Sequence, residues 1–219
     1  MNLQLLNAEL LNCRRCPRLV EWRERLALEK RRAYLDQTYW GKPVPGFGDP
    51  HGRVFIVGLA PGAHGSNRTG RQFTGDGSSN FLYPALYRAG FASQPVSVSR
   101  QDGLTLTDLY TAPVCRCVPP ANKPTPQEMA NCQPYLEREF EIVQPKVIVA
   151  LGRIAFVRIL RIFSVKNIPM AFAHNLVVEI QAGVHLVCSY HPSRQNTQTG
   201  RLTVEMFDQV WATVRKLLV

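Results

Sequence analysis

The 219-residue sequence lacks the features that mark several large classes of protein. It contains no run of roughly 18 uninterrupted apolar residues, which a membrane-spanning helix requires. Its first residues, MNLQLLNAELL, have no basic start before an apolar run, so they do not predict a secretory signal. Internal repeats and low-complexity tracts are missing as well. These absences favour a cytoplasmic protein with no membrane partner.

Two common phosphate-binding fingerprints are absent, and negative charge is scarce. Neither G-x-x-x-x-G-K-[ST] nor G-x-G-x-x-G at a strand exit occurs, so no nucleoside triphosphate or dinucleotide site is expected. Lys and Arg number 26 against 16 Asp and Glu, which gives a formal net charge of +10. Such an excess favours a polyanionic partner, most commonly nucleic acid. A merely basic soluble protein would show the same excess.

Short apolar runs alternate with helical patterns along the chain. A capping box at Thr125–Glu128 predicts the start of one helix, and Pro134 is expected to begin a second. This alternation predicts βαβ units and a mostly parallel sheet, that is, an α/β fold. The predicted strands are 53–60, 104–114, 146–152, 176–180 and 185–192, and the other predicted helices are 2–11, 79–91, 153–163 and the C-terminal segment around 207–218.

Three loops follow predicted strands, and they carry the most unusual residues. They begin after Ala60, Val114 and Tyr190. Because ligands bind beyond the carboxyl ends of strands in open α/β sheets, we expect these loops to meet around one pocket. The first loop reads GLAPGAHGSNRTGRQFTGD, and its five glycines would let backbone N–H groups approach a flat ligand or a phosphate. The alternative is a surface loop whose glycines only serve turns.

Six cysteines raise the question of a metal site. Cys13 and Cys16 form C-x-x-C, and Cys117 and Cys132 lie far downstream, so a four-thiolate site is predicted. Composition does not distinguish zinc from an iron–sulfur cluster, and Cys115 competes with Cys117 for the third position. Unlinked buried thiols are the alternative, which we favour for Cys115 and for Cys188 inside an apolar strand.

His191 stands at the end of the last predicted strand, in SYHPSRQNTQTG. The following Pro192 fixes the backbone there, so the imidazole is expected to point into the crevice. Arg194, Gln195 and Asn196 then supply donors suited to phosphates and base edges. A single histidine is more often structural, but these neighbours favour a functional one.

Taken together, these segments resemble the uracil-DNA glycosylase superfamily over nearly the whole chain. GLAPGAHGSNRTGRQFTGD, CVPPANKPTPQEMANCQPYL, VIVALG and YHPSRQNTQTGRLT, in this order and preceded by CRRC, look like the type B (family 5) enzymes. The resemblance implies a three-layer α/β/α sandwich around a central, mostly parallel four-stranded sheet. It further implies a single monomeric domain over 1–219 whose segment 1–40 is tied in by a [4Fe–4S] cluster on Cys13, Cys16, Cys117 and Cys132.

The implied activity is excision of damaged bases from DNA. The enzyme would flip a deaminated base out of the DNA and hydrolyse its N-glycosidic bond. Its substrates would be mismatches in double-stranded DNA and also single strands, and it would be a nucleoid-associated bacterial or archaeal protein. By matched position, Phe73 stacks on the base, while Asp76 offsets sugar cation charge or orients water. His191 hydrogen-bonds the base oxygen that gains charge. The resemblance also implies that Gly62 and Ala63 bind the base and that Asn122 holds the water or the base. The implied DNA-binding residues are Arg68, Arg194, Gln195 and Asn196.

Two departures from related families affect the expected substrate range. Leu59 and Ala60 stand where other families carry a polar or acidic residue, which is typical of type B enzymes. Pro113 stands where the related iron–sulfur family has an asparagine that reads uracil. These changes imply a roomier pocket that also admits hypoxanthine, ethenocytosine or modified uracils. With no lysine in the pocket segments, monofunctional release is expected. A zinc-stabilised nucleic-acid binder and a small-molecule hydrolase are the competing hypotheses.

Overall fold

Strand β2 (Val54–Gly58) lies at the centre of the sheet, and all five of its residues are buried. In the computed structural model, which describes residues 2–165 and 171–219, β2 pairs in parallel with β3 (Leu109–Pro113) on one side and β4 (Val147–Leu151) on the other. Strand β6 (Val184–Ser189) then pairs in parallel with β4. Continuous apolar runs are typical of such strands because helices cover both of their faces.

Two antiparallel edge strands flank these four: β1 (Phe47–Gly48) pairs with β3, and β5 (Val177–Gln181) pairs with β6. Within the described residues the sheet therefore has six strands, in the order β1-β3-β2-β4-β6-β5. The expectation of a four-stranded sheet is therefore wrong in number, although the four central strands are parallel as predicted. Strand β1 was missed because two residues within a Gly- and Pro-rich stretch carry no alternating pattern.

Helices cover both faces of the sheet, which confirms the three-layer α/β/α sandwich. Side chains alternate along a strand, so Val54 and Ile56 belong to one core and Phe55 and Val57 to the other. The first core lies under α4 (Ser79–Arg88) and α8 (Val204–Leu217). The second lies under α5 (Pro126–Val143) and α6 (Arg153–Ile162). The remaining α-helices among the residues that the structure describes are α1 (Leu3–Leu11), α2 (Pro17–Glu29), α3 (Ser66–Thr69) and α7 (Arg194–Gln198).

Helix α5 begins at the predicted capping box but does not break where expected. The Thr125 hydroxyl accepts from the Glu128 amide at 3.2 Å, and the Glu128 carboxylate accepts from the Thr125 amide at 2.7 Å. The helix then runs through Pro134 to Val143 as one element, so the expectation of a second helix is wrong. The missing N–H of Pro134 is tolerated because the apolar face continues through Leu136 into the core.

The N-terminal segment folds back across the body of the protein. Helix α1 packs on α5 through Leu6 and Leu10. Further along, the Trp40 amide donates to the Arg68 carbonyl at 2.8 Å and the Gly41 amide donates to Asn67 at 3.1 Å. These bonds fix the chain against the glycine-rich loop. No helix in the described part of the chain is long and apolar enough to cross a membrane.

Candidate active site

A cleft of about 640 Å³ opens at the carboxyl edge of the parallel strands. The three loops expected to meet do meet here, since all have residues in the cleft wall. Sequence-predicted site residues that line it are Gly62, Ala63, Phe73, Asp76, Asn122, His191, Arg194 and Gln195. The loops lie at the same edge of the sheet because the strands that precede them are parallel. Gly58 at the end of β2 pairs with Pro113 at the end of β3, and Leu151 at the end of β4 pairs with Ser189 at the end of β6.

Several glycines of the first loop make room for the protein's own side chains. A Cβ atom at Gly62 would lie 3.1 Å from Asp76 Oδ2, and one at Gly65 would lie 2.8 Å from Asp76 Cγ. A Cβ at Gly58 would lie 2.7 Å from the ring of Phe73. Real Cβ atoms essentially never approach within 3.0 Å, so a side chain at Gly58 or Gly65 would displace the ring or the carboxylate, whereas one at Gly62 would make a tight contact.

Phe73 is held in an unusual backbone conformation at the floor of the cleft. Its φ of 48° lies in the left-handed region, which a bulky residue seldom adopts. A buried ion pair secures the adjoining chain: Arg71 contacts Asp102 at 2.6 and 2.8 Å and the Thr74 hydroxyl at 3.0 Å. The centroid of the Phe73 ring lies 6.2 Å from that of His191. The predicted stacking residue and the predicted catalytic histidine are therefore neighbours.

One oxygen of the Asp76 carboxylate accepts hydrogen bonds from the protein, and the other lies in the wall of the cleft. Its Oδ1 accepts from the amides of Ser78 and Ser79, both at 3.0 Å, at the start of α4. Burial raises the pKa of Asp76, and the two amides, followed by the charges of Arg194 and Arg68, oppose that rise. Oδ2 is left beside Gly62, in the wall of the cleft.

His191 is a neutral imidazole at physiological pH. Burial lowers its pKa to about 4, so a cation is excluded in the neutral range. The Asn196 side chain donates to the His191 carbonyl at 2.9 Å and fixes the backbone that carries the ring. Across the cleft, Asn122 is exposed at the end of a 3₁₀ turn (Pro120–Asn122) with φ of 55°. Asparagine tolerates this left-handed conformation better than most residues do.

The predicted DNA-binding residues differ in how free their side chains are. Arg194 and Gln195 are exposed on α7, whereas Asn196 is half-buried and also bonded to His191. Arg68 donates to the His64 carbonyl at 2.7 Å and to Gln37 at 2.6 Å, so its guanidinium already ties the N-terminal segment to the loop.

A pair of residues that the sequence did not single out also shapes the cleft. His64 lies in its wall, and its Nδ1 is 3.0 Å from the hydroxyl of buried Tyr39. That hydroxyl accepts from the Arg31 amide at 3.3 Å, which favours donation of its proton to Nδ1 and leaves the imidazole proton on Nε2. Burial, with Arg31 and Arg68, lowers the pKa of His64. His64 was visible in the strand-exit loop, but Tyr39 and Arg31 reach it only through the fold.

The four predicted cysteine ligands line one small buried cavity between α1, α2, α5 and the loop after β3. Cys117 lies in its wall, whereas Cys115 is in the core of the adjoining helical layer. Two N–H groups point at the sulfurs: Arg23 Nη1 is 3.0 Å from Cys117 Sγ, and Asn131 Nδ2 is 3.3 Å from Cys16 Sγ. Both donors favour sulfur atoms that carry negative charge.

Four thiols are the donor set that this cavity offers to a metal group. Within residues 2–165 and 171–219, no three Cys, His, Asp or Glu side chains are grouped closely enough to hold one metal ion. Zinc requires its thiolates about 2.3 Å from one centre, whereas an iron–sulfur cube spreads them over separate irons. The donor set of four thiolates and the two N–H groups are compatible with such a cube.

Comparison with known proteins agrees with this geometry. A family model described as the uracil DNA glycosylase superfamily matches residues 45–215. The chain is 51% identical over 216 residues to a "Type-5 uracil-DNA glycosylase" of Mycobacterium leprae, covering 97% of this chain and 94% of that protein. A protein of the same description from Thermus thermophilus is 50% identical over 94% of this chain and 93% of its own length. A "Type-4 uracil-DNA glycosylase" of Archaeoglobus fulgidus is 30% identical over 68% of this chain and 70% of its own.

Proposed function

The chain belongs to the uracil-DNA glycosylase superfamily, and from this premise we propose that it removes uracil from DNA by hydrolysis of the N-glycosidic bond. The observation that carries the proposal is one cleft wall that holds an aromatic floor, a half-buried carboxylate and a neutral imidazole. These are Phe73, Asp76 and His191. The relatives described as Type-5 enzymes support the same reaction.

The reaction begins when the base leaves the helical stack and lies on Phe73. Extrusion costs a few kcal/mol and is least costly for a mispaired base, which favours deaminated over normal bases. As the glycosidic bond breaks, the sugar gains positive charge and the base gains negative charge. Asp76 stabilises the sugar or orients the attacking water, and it faces the cleft through the oxygen that caps no helix.

His191 acts on the leaving base as a neutral hydrogen-bond donor. An N–H directed at the base oxygen stabilises the charge that develops there, and it is already oriented before the reaction. The backbone amides near Gly62 and Ala63 assist, and Asn122 holds the water or the base. None of the cleft-lining residues in the described part of the chain is a lysine. We therefore propose a monofunctional enzyme that leaves an abasic site without forming a Schiff base.

The pocket accepts more bases than uracil in this proposal. Leu59 and Ala60 line the cleft with apolar groups where a polar side chain would select for one base edge. Pro113 ends β3 beside Gly58 and offers no amide there. Hypoxanthine, ethenocytosine and modified uracils are the expected further substrates.

DNA is the partner that the charge distribution favours. Arg194 and Gln195 stand exposed on α7 beside the cleft and contact the strand where the base leaves, while Asn196 and Arg68 support these contacts. Phosphate contacts release counterions, so affinity for DNA should fall steeply with added salt. In this proposal the protein is a single monomeric domain that acts on double-stranded and single-stranded DNA. It lies in the cytoplasm and is associated with the nucleoid.

The cysteine cavity holds a [4Fe–4S] cluster in this proposal, on Cys13, Cys16, Cys117 and Cys132. Its contribution is structural, because it joins segment 1–40 to α5 and to the loop after β3. Purified protein should be brown, with about four irons and four sulfides per chain. Cys117→Ser should lose the colour, whereas Cys188→Ser, in strand β6, should keep it. A colourless protein with one zinc would favour the alternative, a nucleic-acid binder without catalytic activity.

The decisive experiment incubates the protein with oligonucleotides that carry uracil, hypoxanthine or ethenocytosine, then cleaves abasic sites with alkali. Product from the uracil duplex is the expected result. No product from any of them would refute the activity. Covalent trapping of the protein on DNA by borohydride would refute the monofunctional mechanism.

A further inference from the structure

Two polar side-chain groups in the wall of the cleft are used neither by the fold nor by the mechanism above. They are the guanidinium of Arg31 and the Nε2 edge of the His64 imidazole. Within the described part of the chain, the Arg31 side chain has no hydrogen-bond or ion-pair partner, and the residue is exposed. Nε2 of His64 has no partner there either, and it is not among the buried atoms left unpaired, so it is open to the cleft. Both groups are therefore free to bind a ligand.

Buried Tyr39 connects the two residues. Its hydroxyl accepts from the Arg31 amide at 3.3 Å and donates to His64 Nδ1 at 3.0 Å. Because Nδ1 is occupied as an acceptor, the imidazole proton lies on Nε2, on the opposite side of the ring. The hydroxyl thus fixes the tautomer of His64 and, at the same time, the backbone from which the Arg31 side chain extends.

The charges around His64 favour an anion as the ligand. Burial, and then the charges of Arg31 and Arg68, lower the pKa of His64, so the ring is a neutral donor in a positive field. Arg68 is already bonded within the protein, to the His64 carbonyl and to Gln37, so it adds charge without competing for the ligand. A free guanidinium beside an N–H donor is well suited to a phosphate.

The position of His64 in the first loop places these groups on the sugar side of the cleft. A Cβ atom at Gly62 would lie 3.1 Å from Asp76 Oδ2, and one at Gly65 would lie 2.8 Å from Asp76 Cγ. The segment that carries His64 therefore runs against the Asp76 carboxylate, which acts on the sugar in the proposed mechanism. Besides the base, the groups attached to that sugar are the two backbone phosphates beside it.

We propose that His64 Nε2–H and the Arg31 guanidinium bind one DNA phosphate next to the extruded nucleotide, and that Tyr39 is a positioning residue for both. The contact holds the DNA backbone while the base lies on Phe73. A phosphate is the same beside every base, so the contact serves uracil, hypoxanthine and the larger ethenocytosine alike. This inference rests on the proposed function and deepens it, because it names the part of the substrate that this wall of the cleft holds.

A neutral methylphosphonate in place of each phosphate beside the uracil tests the contact from the DNA side. At one of these two positions it should lower the kcat/KM of the wild-type protein about 10-fold, the effect of one hydrogen bond to a charged group. Arg31→Gln and His64→Leu should each lower kcat/KM on unmodified DNA, and their further loss on the modified DNA should shrink to about threefold or less. The losses should appear in KM, because the phosphate is held alike before and during bond cleavage.

Arg32→Gln is the matched control, because Arg32 is the exposed neighbour of Arg31 and is not part of the cleft wall. It removes the same charge but should keep the full wild-type loss at the modified phosphate. His64→Gln retains an N–H of similar reach and should stay closer to the wild type than His64→Leu. This difference separates the loss of a donor from a change in packing.

Equal losses at the modified phosphate in the wild type, Arg31→Gln and His64→Leu would overturn the inference, as would no loss at either phosphate in the wild type. Both results would leave excision of uracil intact. Arg31 is exposed, so its variant should keep the wild-type melting temperature, and the test stands even if His64→Leu folds poorly. Wild-type protein inactive on uracil would overturn the proposed function and the inference with it.

Discussion

Replacement of Asp76 by asparagine separates the chemical role of this side chain from its structural one. The Asp76 carboxylate caps α4 through Oδ1, which accepts two backbone amides at 3.0 Å. An asparagine oxygen accepts the same two bonds, and Asn and Asp are about equal at helix N-termini. Only the negative charge is lost. Stabilisation of a charged transition state by one such group is worth about 3–4 kcal/mol, so kcat should fall roughly 10²- to 10³-fold.

The same variant should not lose stability. Burial raises the pKa of Asp76, so the ionised carboxylate is disfavoured in the folded protein. A raised carboxyl pKa removes stability as pH rises past the unfolded value of about 4, since the folded state then binds more protons than the unfolded state. Asp76→Asn should therefore melt at the same temperature as the wild type near pH 4 and at a higher temperature at pH 7.

Single-turnover excision of uracil measures the rate, equilibrium binding measures the affinity for DNA, and calorimetry measures the melting temperature. Asp49→Asn is the matched control, because Asp49 also accepts two backbone amides, from His51 at 2.9 Å and from Asp108 at 3.1 Å, but lies outside the cleft. It should leave the excision rate unchanged. An Asp76→Asn protein within threefold of wild-type rate would remove Asp76 from the chemistry. A joint loss of rate, DNA affinity and melting temperature would make it a structural cap only.

Three further predictions concern residues around the same cleft. Because burial lowers the pKa of His191 to about 4, wild-type stability should decline by about 3 kcal/mol as pH falls from 6.5 through 4, and His191→Gln should flatten that slope in pH-dependent unfolding. Asp102→Ala breaks the buried ion pair beside the Phe73 segment and should cost about 3–5 kcal/mol in chemical denaturation, whereas Asp208→Ala, at an exposed ion pair, should cost below about 1. Tyr39→Phe removes the hydroxyl that donates to His64 Nδ1, so it should change the ¹⁵N tautomer signature of His64, and an unchanged signature would refute the assignment of the imidazole proton to Nε2.

Much of the site could be read from the sequence because parallel strands bring their carboxyl ends to one edge. Phe73, Asp76 and His191 follow two different strands, and both loops were predicted to reach the same pocket. The structure places all three in one cleft. The C-x-x-C pair and two distant cysteines predicted a four-thiolate site, but the choice of Cys117 over Cys115 came from the family resemblance, and the structure places Cys117 with the other three in one cavity. Their assignment to a cluster stays a prediction.

Other features had no local signal. Strand β1 is two residues long, and its pairing with β3 depends on the sheet that is already present. A proline inside a helix usually ends or kinks it, because it removes one backbone hydrogen bond. In α5 the packing of the helix on the core outweighs the hydrogen bond that Pro134 does not make. The resemblance implies that Arg68 binds DNA, yet its donors are directed at His64 and Gln37 of the protein itself.

The sequence by itself determined the α/β class, the strand-exit loops and the residue types available for chemistry, because these depend on periodicity and on short-range order along the chain. Only the tertiary structure decided which groups face the ligand. Gly58 and Gly65 leave the space that Phe73 and Asp76 occupy, which no pattern in the sequence showed. Burial, pairing and charge state depend on atoms far apart in the chain, and these come together only when the fold is complete.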